Sequence, residues 1–170
     1  VDDDGDVDVF TASQAATEIW LFLNDGSENF GSAVVIANED DDGLDTPMSV
    51  YAIDVDGDDK VDLIYADEDG YVSYFAQGAS ATSSSDWSDA IEIDDGRGEP
   101  RWVVAADLDG DGDADVLCAD PDDKEIVVYE KEGAPGDGSS WDDQSYDADG
   151  EPTSVELFDV DGDGDLDFVA

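Results

Sequence analysis

Short apolar runs, each bounded by acidic, glycine or proline residues, recur along this chain in a repeating order. The runs MSVYAI (48 to 53), RWVVAA (101 to 106) and TSVELF (153 to 158) follow Pro47, Pro100 and Pro152 and have the length of strands. Each leads through an aspartate-rich turn into a second run, LIY (63 to 65), VLC (116 to 118) or FVA (168 to 170). Hairpin chemistry comes next, as Asp67-Glu68-Asp69-Gly70 and Asp120-Pro121-Asp122-Asp123. A third run holds Ile19 to Phe22, Tyr71 to Phe75 or Ile126 to Tyr129. Phe22, Tyr74 and Tyr129 each stand four residues before a glycine, Gly26, Gly78 or Gly133, that would end the strand. Variable segments (27 to 30, 78 to 87, 133 to 141) then reach an aromatic, Phe30, Trp87 or Trp141, and a fourth run. That run is AVVIA (33 to 37), AIEI (90 to 93) or the weaker QSY (144 to 146). No helical period intervenes, so the pattern predicts an all-β chain of tandem four-stranded antiparallel sheet units, propeller-blade-like, in about three repeats.

The turns between first and second runs carry the strongest repeat. They read DVDGDDKVD from Asp54, DLDGDGDAD from Asp107 and DVDGDGDLD from Asp159, with first aspartates 53 and 52 residues apart. A shortened copy opens the chain. There Asp2, Asp4, Gly5, Asp6 and Asp8 take the matching places, and the residue matching Asp107 would fall before Val1. Counted from the loops, the repeats are 1–53, 54–106 and 107–158, with a fourth begun at 159–170.

In DLDGDGDAD the alternating carboxylates of Asp107, Asp109 and Asp111 can converge, and Gly112 allows the bend that brings the Asp113 carbonyl inward. Asp115 then closes the shell. Lys60, which matches Asp113, would contribute only its carbonyl, as would Asp6 and Asp165 at the same place. Such an all-oxygen cage suits Ca²⁺, which accepts six to eight flexible oxygen ligands, better than Mg²⁺, which demands a strict octahedron. With no His and one Cys in the chain, zinc and copper are disfavoured. Without a cation, carboxylates about 4 Å apart repel by roughly 1 kcal/mol per pair in water and about 4 at an effective dielectric of 20. An EF-hand is excluded: it needs a glutamate at the twelfth loop position and flanking helices, whereas Tyr65, Cys118 and Ala170 stand there. The loop is thus read as a calcium-binding hairpin between strands.

This combination of loop, spacing and strand placement resembles the FG-GAP/VCBS repeat family, whose calcium loops are familiar from the integrin α-subunit β-propeller. The resemblance covers essentially the whole chain. It implies that Asp54, Asp56, Asp58 and Asp62 are ligands in one blade, Asp107, Asp109, Asp111 and Asp115 in the next, and Asp159, Asp161, Asp163 and Asp167 in the last. The opening copy would contribute Asp2, Asp4 and Asp8. Two departures stand out. The phenylalanine-glycine and glycine-alanine-proline signatures are not clearly placed, which favours the VCBS-like branch, and Asp59 replaces the loop glycine in the first complete copy.

Charge narrows the partners. Fifty acidic against 5 basic residues give a formal net charge of −45, which disfavours nucleic acid and anionic membrane surfaces. Four divalent ions would offset 8 of these, leaving about −37, so a solvated acidic surface of the halophile kind is a companion reading. No apolar stretch approaches membrane-spanning length. The lone Cys118 excludes an internal disulfide and reads as a packing residue. Trp20, Trp87, Trp102 and Trp141 read as packing between sheets rather than as a sugar platform. There is no histidine base, nucleophile elbow or phosphate loop, so the chain is not expected to be an enzyme.

These observations predict a calcium-binding, extracellular structural repeat protein that forms a fibre or surface assembly. The alternatives are a β-propeller fragment for adhesion or ligand recognition, with a protein or glycan partner, and a non-catalytic module of a secreted enzyme. Three units are too few for a closed propeller of four to eight blades, so an open array or part of a larger propeller is expected. A chain that begins inside a loop looks like a segment of something longer. Its final strand, Phe168 to Ala170, has no expected hairpin partner within the chain, which suggests head-to-tail self-association or continuation of the same chain.

Overall fold

The computed structural model describes residues 1–2, 4–27, 29–42, 44–132 and 140–170, and its strands follow the apolar runs. The first sheet holds β1 (Val9–Ser13), β2 (Glu18–Phe22) and β3 (Val34–Asn38) in that order. The second is β4 (Pro47–Ile53), β5 (Asp62–Asp67), β6 (Val72–Phe75) and β7 (Ile91–Asp94), each antiparallel to the next. The third repeats that meander with β8 (Trp102–Ala106), β9 (Asp115–Asp120), β10 (Glu125–Glu132) and β11 (Ser140–Asp147). The fourth contains β12 (Glu156–Phe158) and β13 (Asp167–Val169). Gly133 and most of the third variable segment lie outside the described residues.

Both faces of the central sheets are covered, and strand alternation distributes their side chains between two neighbours. Leu63, Tyr65 and Phe75 turn toward the first sheet and pack with Ile19, Leu21 and Ile36. Ile64, Ala66, Val72 and Tyr74 turn the other way, against Val103, Val116, Cys118 and Tyr129 of the third sheet. Leu117, Ala119, Ile126 and Val128 then face Val155, Leu157 and Phe168 on the fourth-sheet side. All six residues of β5 and of β9 are buried for this reason. Each fully buried Leu, Ile or Val contributes about 1.5–3 kcal/mol of transfer free energy, so the interfaces between sheets are the core. β4 lies beside β1 and β8, and β8 beside β12, so the first strands of successive sheets line one side of the stack.

Several details depart from expectation. A single helical turn, Glu39–Asp42, and a 3-10 turn, Ser84–Asp86, stand where no helix was predicted. The weak QSY run belongs to an eight-residue strand, because Ser140 to Asp147 pair with the full length of β10. The closing strand has a partner after all: β13 pairs with β12 across the loop from Asp159. Trp87 is buried against Phe10 at an edge-on 5.8 Å and Trp141 packs on the core, but Trp102 is 39% exposed. Its place at the start of β8 opens onto a groove shared with Phe10, Met48 and Tyr51. Cys118 is fully buried, and burial pushes its thiol well above the ordinary range.

Candidate metal centres

Each complete aspartate loop joins the first two strands of a sheet, and the three share one set of backbone contacts. The first aspartate accepts the N–H groups of the fourth and sixth loop residues. Gly57 and Asp59 donate to Asp54 (both 2.8 Å), Gly110 and Gly112 to Asp107 (2.8 and 3.2 Å), and Gly162 and Gly164 to Asp159 (2.6 and 3.1 Å). The third aspartate accepts from the fifth residue and the fifth from the seventh. Examples are Asp111 to Asp109 at 3.0 Å and Asp113 to Asp111 at 2.9 Å. The opening copy keeps this last step, with Asp6 donating to Asp4 at 2.9 Å. These local bonds curl the loop so that carboxylates face one another instead of spreading into water.

The ninth aspartate is the anchor. Asp62, Asp115 and Asp167 each accept the N–H of the second loop residue, Val55 (2.8 Å), Leu108 (2.9 Å) and Val160 (3.0 Å). The second oxygen of Asp62 and of Asp115 reaches the third strand side, accepting from Gln77 (2.8 Å) and Lys131 (3.0 Å). Asp8 accepts from Asn24 in the same way, at 2.8 Å. Burial pushes the Asp62 and Asp115 carboxyls above the ordinary range, opposed by those amide donors. A bound cation would reverse that direction by favouring the charged form.

Three carboxylate groups result, each with ligand oxygens within 4.8 Å of one another: Asp54, Asp56 and Asp58; Asp107, Asp109 and Asp115; Asp159, Asp161 and Asp167. Two oxygens on one calcium, each at 2.3–2.6 Å, can be no more than about 4.6–5.2 Å apart, so the spacing fits a shared ion. The donors are oxygen only, which suits a hard cation. Asp62, Asp111 and Asp163 stand outside these closest groups, as do Asp2, Asp4 and Asp8 of the opening copy, among the described residues.

The loop from Asp54 differs in three ways, the first being that Asp58, and not its ninth residue Asp62, completes the closest group. Asp59 adopts φ +65° where the other loops have Gly112 at +98° and Gly164 at +101°, so an L-residue occupies left-handed backbone. Lys60 also brings its charge into the loop, where its ammonium pairs with the Asp58 carboxylate. That hydrogen bond pulls the Asp58 carboxyl below its ordinary range and raises Lys60. Burial, then the Asp58 charge, pushes Asp56 upward.

Models of the FG-GAP-like repeat match residues 1–65, 54–118 and 107–170, overlapping on the loops themselves. The chain belongs to the FG-GAP-like repeat family. FG-GAP-like repeats form β-propeller-like modules that are generally non-catalytic and typically extracellular. No curated protein matches the chain. Among the described residues, no helix is long and apolar enough to cross a membrane.

Other buried polar residues did not stand out in the sequence as more than turn residues. Asp67 and Asp120, at the ends of β5 and β9, are almost fully buried and cap the following hairpins. Asp67 accepts from Asp69 and Tyr71, both at 3.1 Å, and Asp120 from Gly98 at 2.9 Å and Asp122 at 3.1 Å. Arg97 ties the second and third sheets through Asp94 (2.6 Å), the Tyr129 hydroxyl (3.0 Å) and Asp143 (2.8 Å).

Proposed function

We propose that this chain is a calcium-loaded structural repeat module of the extracellular space, built to extend head to tail into a fibre or surface assembly. The observation that carries the reading is the recurrence of one oxygen cluster at one place in three successive sheets. A solvated acidic surface has no need of such a period. Backbone N–H groups hold the loop carboxylates toward one another, and a bound ion would offset their repulsion.

Assembly is supported by apolar side chains left exposed around the fourth sheet: Phe158 at 48%, Val160 at 58% and Val169 at 49%. The strands equivalent to β13, β5 and β9, are buried along their whole length, so another copy of the repeat is the occupant that fits. Its docking would be heterologous, with successive repeats meeting in the same order as within the chain. A second reading, a segment of a closed propeller serving recognition or adhesion, is favoured by the clustering of β4, β8 and β12 along one side. Calcium calorimetry and negative-stain imaging test the proposal together. Three or more calcium ions per chain, with filaments in calcium, are expected; no heat of binding refutes the metal role, and uniform rings refute the fibre.

A further inference from the structure

Two of the chain's 5 basic residues, Arg97 and Lys131, lie at the junction of the second and third sheets, and Lys131 is only 6% exposed. Its ammonium donates to the Val55 carbonyl at 2.6 Å, inside the loop that starts at Asp54. The same nitrogen lies 3.7 Å from the Asp113 carboxylate, inside the loop that starts at Asp107, and both side chains are 3% exposed. Its backbone N–H bonds Asp115, the anchor of that second loop. One residue therefore grips both loops.

We propose that Lys131 is a positioning residue that couples calcium binding at the two loops, so that filling one raises the affinity of the other. The inference rests on the calcium reading above. Burying an ammonium costs several kcal/mol unless it is paired and hydrogen-bonded, so its position is tightly determined by its partners. A cation that orders Asp113 and Asp115 fixes where Lys131 sits, and Lys131 in turn holds Val55 beside Asp54 and Asp56. The second site then loses less conformational entropy on binding, which is positive coupling. The neighbouring junction uses the same link without the charge. Gln77 donates its backbone N–H to Asp62 and its side-chain amide to the Val1 carbonyl at 3.2 Å, the loop position matching Val55.

The test is a mutant cycle on the full chain, with Ca²⁺ as the only ligand and the Gly57 amide resonance reporting the loop from Asp54. Asp107→Asn with Asp109→Asn disables the other loop. In the otherwise native chain this should weaken calcium binding at the Asp54 loop by about five-fold or more, the lower end of ordinary coupling. In Lys131→Met, the same disabling should change it less than two-fold, whereas Lys131→Gln should retain the coupling. If Lys131→Met does not fold, Lys131→Ser, too short to reach Val55, takes its place. Equal weakening with and without Lys131, loss of coupling in Lys131→Gln, or no coupling in the native chain overturns the proposal. A native chain whose loops both fill independently sinks only this inference. One that shows no calcium response at all sinks the calcium reading with it.

Discussion

Asp115→Ala should separate the structural work of the loop from its metal work. Asp115 is 2% exposed and accepts two backbone N–H groups, one from Lys131 in the interior and one from half-buried Leu108. Leaving a buried N–H without an acceptor costs about 1–3 kcal/mol, and a half-buried one nearer about 0.5–1.5. Removing a carboxylate that burial already disfavours returns part of this, so the net loss expected without calcium is about 2 kcal/mol. Asp107→Ala is the control. Its carboxylate is exposed and its two bonds face water, so without calcium the loss should stay near 0.5 kcal/mol. Urea denaturation of both variants, first in excess chelator and then in calcium, reads the difference. In calcium both should lose the added stability of their site; in chelator only Asp115→Ala should be strongly weakened. Equal destabilisation of the two in chelator would refute the anchoring role of the ninth aspartate.

Asp59→Gly should tighten calcium at its loop and raise stability, because glycine adopts left-handed backbone without the penalty carried by Asp59 at φ +65°; unchanged affinity in a calcium titration would count against the strain. Before that change, the Asp54 loop should fill last of the three, which site-resolved resonances can read. Asp67→Asn should be more stable than the native chain at pH 7. Burial raises the Asp67 carboxyl to about 6. The folded state therefore holds its proton between about pH 4 and 6, where the unfolded chain has lost it, and stability falls as pH rises through that window. The gap between variant and native chain should close below pH 4; a gap that is constant from pH 4 to 7 would dismiss the shift.

The loops, the strand order and the glycine at φ +98° were legible because each depends on neighbours within a few residues. Asp107 to Asp115 carry their own geometry in DLDGDGDAD. Burial of charge was not legible. Lys131 reaches Val55 across 76 positions of sequence and Arg97 reaches Asp143 across 46, so nothing near either residue distinguishes it from a solvated base. Asp67 and Asp120 read as ordinary turn residues because turn composition does not reveal burial, and Asp120 is met by Gly98 from 22 positions away. Trp102 fails in the opposite direction: an aromatic in a strand run reads as core, but the first strand of each sheet lines an open groove. The pairing of the Lys60 ammonium with Asp58 was not legible, because loop spacing constrains the backbone and not the end of a long side chain.

Calcium held by the three oxygen clusters should stabilise the sheets that carry them. Thermal unfolding of the full chain at physiological ionic strength, in millimolar calcium and in excess chelator, tests this most directly. Each site filled at 100 times its dissociation constant adds about 2.7 kcal/mol, so the melting temperature should fall sharply when calcium is removed and return when it is restored. Magnesium at the same concentration should restore less. Superimposable melting curves in calcium and chelator would rule out stabilising calcium sites in the loops.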